Sequence, residues 1–113
     1  MNTVHREETT TERWARAELF FESKQYAEAA RILTDVVAEA PGQVAPRLLL
    51  ARAYYHSAQL RRAEERLREV IALDPVEQYA HLMLGRTLQR QGRAAEAQAS
   101  LKLAAALGGD TAG

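Results

Sequence analysis

Ser57 follows His56 directly, and a hydroxyl beside an imidazole is the raw material of an activated nucleophile. Adjacency does not assemble one here. On a helix, neighbouring side chains point about 100° apart, so the imidazole cannot reach the next hydroxyl. His5 and His81 share no ligand spacing with His56 and no carboxylate partner arranged for zinc, so no metal site is expected. The chain has no Cys, which removes disulfides and thiolate ligands. It has no Gly-rich phosphate loop. Arg61, Arg62, Arg66 and Arg68 make the densest basic run. Arg61 and Glu65 stand four residues apart, as do Glu64 and Arg68, while Arg66 and Glu69 stand three apart. Those are the spacings of surface ion pairs on a helix rather than of a nucleic-acid stripe. Lys plus Arg and Asp plus Glu both number 15, so the net charge is zero and no overall field favours nucleic acid. The expectation is no enzyme, no cofactor, no metal and no nucleic-acid partner.

What remains for these residues is recognition, and the elements that position them follow from patterning. The chain is 113 residues long, 47% hydrophobic and 27% charged, which is globular composition. No apolar run approaches the roughly 20 residues that span a bilayer. The first eight residues lack the apolar core of a secretory signal. No membrane partner is expected, and cytoplasmic localisation is. The abundance of Ala and Arg points to a GC-rich bacterial genome.

Shifted by 34 residues, the sequence falls on itself without a gap. Ala17, Ala51 and Gly85 coincide, all small. Phe20, Tyr54 and Leu88 coincide, all large. Ala29, Ala63 and Ala97 are identical, as are Leu33, Leu67 and Leu101. Val36, Val70 and Ala104 follow, then Val37, Ile71 and Ala105, and Pro41 and Pro75 close the first two copies. Each copy carries two runs of helical apolar spacing. The expected helices are 10–22, 26–39, 44–57, 60–73, 77–91 and 94–107. Thr9 to Glu12 fits a capping box at the first helix start, and Asp74-Pro75 stops the fourth helix. The expected organisation is a flexible arm over 1–9, a helical domain over 10–108 divided at 10–43, 44–77 and 78–108, and a flexible tail over 109–113. One hairpin cannot bury both its apolar stripes alone, whereas three stacked hairpins make one continuous core.

This pattern resembles the tetratricopeptide repeat. The resemblance rests on Leu50-Ala51, Tyr54, Ala63, Leu67 and Asp74-Pro75 in the second copy, and on Leu84-Gly85, Gly92, Ala97 and Leu101 in the third. The first copy departs at Arg16, where the others have Leu50 and Leu84, and at Lys24, where they have Ala58 and Gly92. The resemblance implies an all-α, right-handed α-solenoid of three repeats and six helices, a module that binds another protein or a peptide on its concave side. The family's inner positions fall on Trp14, Glu18, Phe21 and Glu22, then on Leu48, Arg52, Tyr55 and His56, then on Tyr79, Leu82, Met83, Arg86 and Arg90. The set is rich in aromatics and Arg, the residue types enriched at binding hot spots, although the aliphatic members also suit packing between neighbouring first helices. The family's two-carboxylate clamp needs Lys and Asn where Trp14, Glu18 and Leu49 stand here, so that activity is not expected. Residues 10–43 carry four basic and six acidic side chains, and residues 78–111 carry four and two. A groove ligand is therefore expected to be acidic towards the third copy.

A second interface is expected on the last helix. Ala97, Leu101, Ala104 and Ala105 account for the internal core. Ala95, Ala99, Leu103 and Ala106 form another stripe, with Leu107 at its edge. Small residues beside Leu suit a close helix contact, and Ala is also simply a good helix former. The expectation is that the same helix of a second copy, in a two-fold homodimer, or a partner protein covers this stripe. Two functions stay open: an adaptor that captures a partner in its groove, and a self-assembling scaffold.

Overall fold

The structure is a computed structural model and describes residues 7–108. It contains six helices: α1 (Thr10–Glu22), α2 (Tyr26–Glu39), α3 (Val44–His56), α4 (Leu60–Leu73), α5 (Gln78–Arg90) and α6 (Ala94–Leu107). Among the described residues there is no strand. Each end lies within a residue of its expected position. α3 stops one residue early, and α5 is one residue shorter at both ends.

The helix ends have local causes. Thr9 caps α1: its hydroxyl accepts from the Glu12 amide at 3.0 Å, and the Glu12 carboxylate accepts from the Thr9 amide at 2.9 Å. Three hairpin turns then repeat one geometry. The Gln25, Gln59 and Arg93 amides donate to the Phe20, Tyr54 and Leu88 carbonyls at 2.8, 2.8 and 2.9 Å. The preceding residue turns left-handed each time, at Lys24 (φ 62), Ala58 (φ 61) and Gly92 (φ 76). This is the Schellman ending, which satisfies the last carbonyls of a helix. Only Gly92 adopts that φ without steric cost. Ala40 and Asp74, each before a proline, leave α2 and α4 in non-helical conformations, as a following pyrrolidine ring requires.

Packing follows the register. Each helix packs on its chain neighbours, and α3 also touches α5. One core cluster contains Ala17, Ala29, Leu33 and Leu50, and a second contains Ala51, Leu67, Val70, Leu84 and Ala97. At Gly85 a Cβ would lie 2.6 Å from Leu101 Cγ, so the closest approach of α5 to α6 is possible only without a side chain there. The result is long, 64 × 25 × 25 Å, with a radius of gyration of 16.1 Å. A compact chain of this length has about 13 Å, so the molecule is a stack rather than a sphere.

Three packing expectations change. Leu101 is only half-buried and Ala105 is exposed. Their equivalents Leu33 and Val37 are covered by the next hairpin, and no helix follows α6 among the described residues. Glu64 is not a surface residue. Its side chain is 11% exposed, and it holds Arg68 at 2.9 Å and Arg93 at 2.7 Å while accepting from Gln91 at 3.1 Å. It therefore ties α4 to the turn before α6. Arg66 and Glu69 pair at 2.9 Å as expected, whereas Arg61 and Glu65 do not pair. Residues 1–6 of the expected arm, with His5, and the tail 109–113 lie outside the described residues. Glu8 is held by Arg16 at 2.7 Å, and its carbonyl accepts from Arg13 at 2.8 Å.

Candidate functional site

Because Cβ atoms four residues apart share a helix face, α3 presents Leu48, Arg52 and His56 together, with Tyr55 alongside. α5 likewise presents Leu82, Arg86 and Arg90. Successive first helices thus lay one strip across the stack, and in it a chain of ring and cation contacts links α1, α2, α3 and α5. Arg52 reaches two rings, with its Cζ 4.8 Å from the Phe21 centroid and 5.8 Å from that of Tyr79. Arg90 Cζ lies 4.6 Å from the Tyr55 centroid, and its Nη1 donates to the Tyr55 carbonyl at 2.9 Å. His56 stacks on Tyr26 at 4.7 Å and meets Phe21 and Tyr55 edge-on at 5.9 and 5.5 Å. Such contacts restrict the rotamers of these long side chains.

Electrostatics follow from this cluster. Desolvation lowers the His56 pKa from 6.5, and the Arg52 and Arg90 charges lower it further. Among the described residues no carboxylate pairs with Arg52, Arg86 or Arg90. A cavity of about 250 Å³ opens between α1 and α3, lined by Glu18, Phe21, Glu22, Leu49 and Arg52.

Two expected groove residues lie elsewhere. Met83 is 5% exposed and belongs to the core cluster on which Leu48, Tyr55 and Tyr79 pack. Its long side chain fills the space beneath them, so it supports the strip and offers it no surface. Trp14 does not join the ring cluster. It lines a separate cavity of about 560 Å³ with Thr10, Val36, Ala40 and Pro46. Glu18, His56, Arg86 and Arg90 are exposed, and Phe21, Arg52, Tyr55, Tyr79 and Leu82 are partly so. Tyr26 was not anticipated. It starts α2, outside the first helices, and its equivalents Leu60 and Ala94 are not aromatic. Ser57 completes no nucleophile, since its hydroxyl donates to the Ala53 carbonyl at 2.8 Å. The imidazole Nε2 of His81 lies 2.8 Å from the Pro75 carbonyl, inside the fold. No helix among the described residues is long and apolar enough to cross a membrane.

The repeat register, the Schellman turns and the stacked hairpins agree with a sequence match to the tetratricopeptide repeat family over residues 20–84. The chain belongs to that family. Solved structures superpose on this tetratricopeptide array along most of its length. MamA of Desulfovibrio magneticus RS-1 is similar at 27% identity and a TM-score of 0.84, over 90% of this chain and 59% of that one. A double mutant of MamA RS-1 gives 28% and 0.83, over 87% and 55%. The present chain thus spans little more than half the length of these MamA structures. The type III secretion chaperone SycD of Yersinia enterocolitica, solved with a peptide of the translocator YopD, gives 19% and 0.86, over 94% and 81%, which is likeness of fold. No curated protein matches the chain.

Proposed function

We propose that this tetratricopeptide array is a non-enzymatic adaptor that holds a partner protein, through a peptide segment, on the strip formed by α1, α3 and α5. One observation carries the reading: Arg52, placed against the rings of Phe21 and Tyr79, meets no carboxylate among the described residues. A guanidinium with its rotamer already restricted loses little entropy on binding, and Arg and Tyr dominate binding hot spots. The neighbour in fold, SycD, likewise forms a complex with a peptide of the translocator YopD.

The test begins with capture from the host and mass spectrometry, then titration of the identified partner. Tyr55→Ala and Arg86→Ala are expected to weaken binding while helix content stays constant. If only convex-side changes such as Arg62→Ala alter the affinity, the groove is not the site.

A second reading is homodimeric assembly through α6. Ala95, Ala99 and Ala106 are exposed, Leu103 is 46% exposed, and Leu107 is partly so. Light scattering should then give a dimer, and Leu103→Glu a folded monomer. A wild-type monomer at high micromolar concentration removes this reading.

A further inference from the structure

The arginines of the strip differ from most of those elsewhere on the molecule; outside the strip, Arg61 and Arg62 are the ones among the described residues that also lack a carboxylate. Arg13, Arg47, Arg68 and Arg93 each meet a carboxylate. Among the described residues, Arg52, Arg86 and Arg90 meet none. Arg52 is the least exposed of the three. Rings from α1 and α5 lie near its guanidinium, and its buried Nε makes no hydrogen bond. With rings beside the guanidinium and Nε buried, its two terminal NH2 groups remain as the donors for an acceptor. A two-oxygen anion fits that pair in a bidentate way. Arg86 and Arg90 stand one turn apart on the same face of α5. The three cations therefore run from α3 to α5.

The other end of the strip carries the opposite sign. Glu18 and Glu22 on α1 are exposed and pair with no cation among the described residues. They flank the 250 Å³ cavity together with Phe21 and Leu49. An anion is repelled at that end and attracted at the other.

We infer that the strip takes an acidic peptide segment of the partner in one direction, with its carboxylates on Arg52, Arg86 and Arg90 and its uncharged or basic end over Glu18 and Glu22. This rests on the groove reading above. The zero net charge of the chain and the two glutamates argue against a nucleic-acid strand, whose affinity comes from a run of phosphates. Spacing gives the segment its pattern. Touching helices lie roughly 10 Å apart, and an extended chain advances about 3.3 Å per residue. Carboxylates about three residues apart therefore match Arg52 and Arg86.

The test uses the full chain and three labelled probes of equal length. The first is a peptide with Glu at every third position and Leu or Ala between. The second has Gln in place of Glu. The third is a single-stranded oligothymidylate. Fluorescence anisotropy at two salt concentrations should show the Glu peptide binding at least tenfold tighter than the Gln peptide. Arg86→Gln and Arg52→Gln should each reduce that affinity at least fivefold, and Arg61→Gln should leave it unchanged. Circular dichroism checks that each variant is folded. If Arg52→Gln perturbs folding, Arg86→Gln decides alone, because Arg86 is exposed. Equal binding of the Glu and Gln peptides, both sensitive to Tyr55→Ala, would overturn the acidic specificity and leave the groove standing. Failure of the Glu peptide to bind at millimolar concentration, or tighter binding of oligothymidylate, would also overturn it.

Discussion

Leu67 is the residue on which the repeat register makes its most exacting demand. It sits at the middle of the middle repeat, is 0% exposed, and belongs to one cluster with Ala51 of α3, Leu84 of α5 and Ala97 of α6. Leu67→Ala removes three carbons. At about 0.8 kcal/mol for each buried methylene-sized group, the transfer term alone is about 2.4 kcal/mol. A residual cavity adds to it, because helices clamped from several sides close in only partly. The total is then about 3–5 kcal/mol. A domain of this size has about 5–15 kcal/mol in all. In a solenoid the middle unit couples both ends, so its loss also weakens the interfaces of α2 with α3 and of α4 with α5. At roughly 4–8 °C per kcal/mol, the melting temperature should fall by at least about 12 °C, or the array should be unfolded at room temperature. Thermal and urea unfolding followed at 222 nm measure this, with Arg61→Ala on the exposed side of α4 as the control. A melting temperature within about 3 °C of wild type would mean that α4 does not carry the stack, and the register argument would fail with it.

Other perturbations separate local terms. Ala58 holds φ 61 inside a Schellman turn, so Ala58→Gly should raise stability by about 0.5–1 kcal/mol, the relief of left-handed strain less the added chain entropy; no gain in urea midpoint would deny the strain. Burial would raise the Glu64 pKa, but hydrogen bonds from Arg93, Gln91 and Arg68 outweigh it and leave the group below 4.5. Its contribution is therefore present above pH 4.5 and is lost as the pH falls through the lowered value. Glu64→Gln should cost about 1–2 kcal/mol at neutral pH, given that Arg68 and Arg93 are substantially exposed, and should flatten the acid limb of the stability curve; equal acid limbs refute the linkage. His56, facing Arg52, Arg90, Tyr26 and Tyr55, should titrate by NMR below 6.5, and Arg90→Gln should move it upward; an unchanged value would remove Arg90 as a cause.

The fold was legible because packing constrains size at fixed intervals. Ala17, Ala51 and Gly85 can only be small where two helices nearly touch, and Leu33, Leu67 and Leu101 face the helices that approach them. The site was legible only as a face. The register names the positions that turn inward, but the reach of each side chain depends on what lies beside it. Met83 is long enough to sink beneath Leu48 and Tyr55, whereas Ala15, its counterpart in the first copy, is exposed. Arg52 is fixed by rings on two other helices, which no single helix pattern reveals. Glu64 carried a readable signal. It aligns with Ala30, a buried position, so a charge there had to be matched by partners from another hairpin.

α6 shows the same logic at the boundary of the described chain, and it separates two kinds of contact. Leu101 and Ala105 occupy the side on which α2 and α4 receive the next hairpin, whereas Ala95, Ala99 and Leu103 occupy the side that α4 fills with Arg61, Glu65 and Glu69. Residues two apart on a helix point about 200° from each other, so Ala105 and Leu103 report on opposite sides. Both are exposed, and a charge at either should leave the fold intact. If a further helix or a partner stacks on the array in register, Ala105→Glu should abolish that contact and Leu103→Glu should spare it. If two copies meet through the stripe that replaces the α4 charges, Leu103→Glu should give monomers by light scattering and Ala105→Glu should remain dimeric. Loss of association in both variants would mean that the contact wraps the whole helix. Loss in neither would mean that the apolar surface of α6 is helix-forming alanine with no partner of its own.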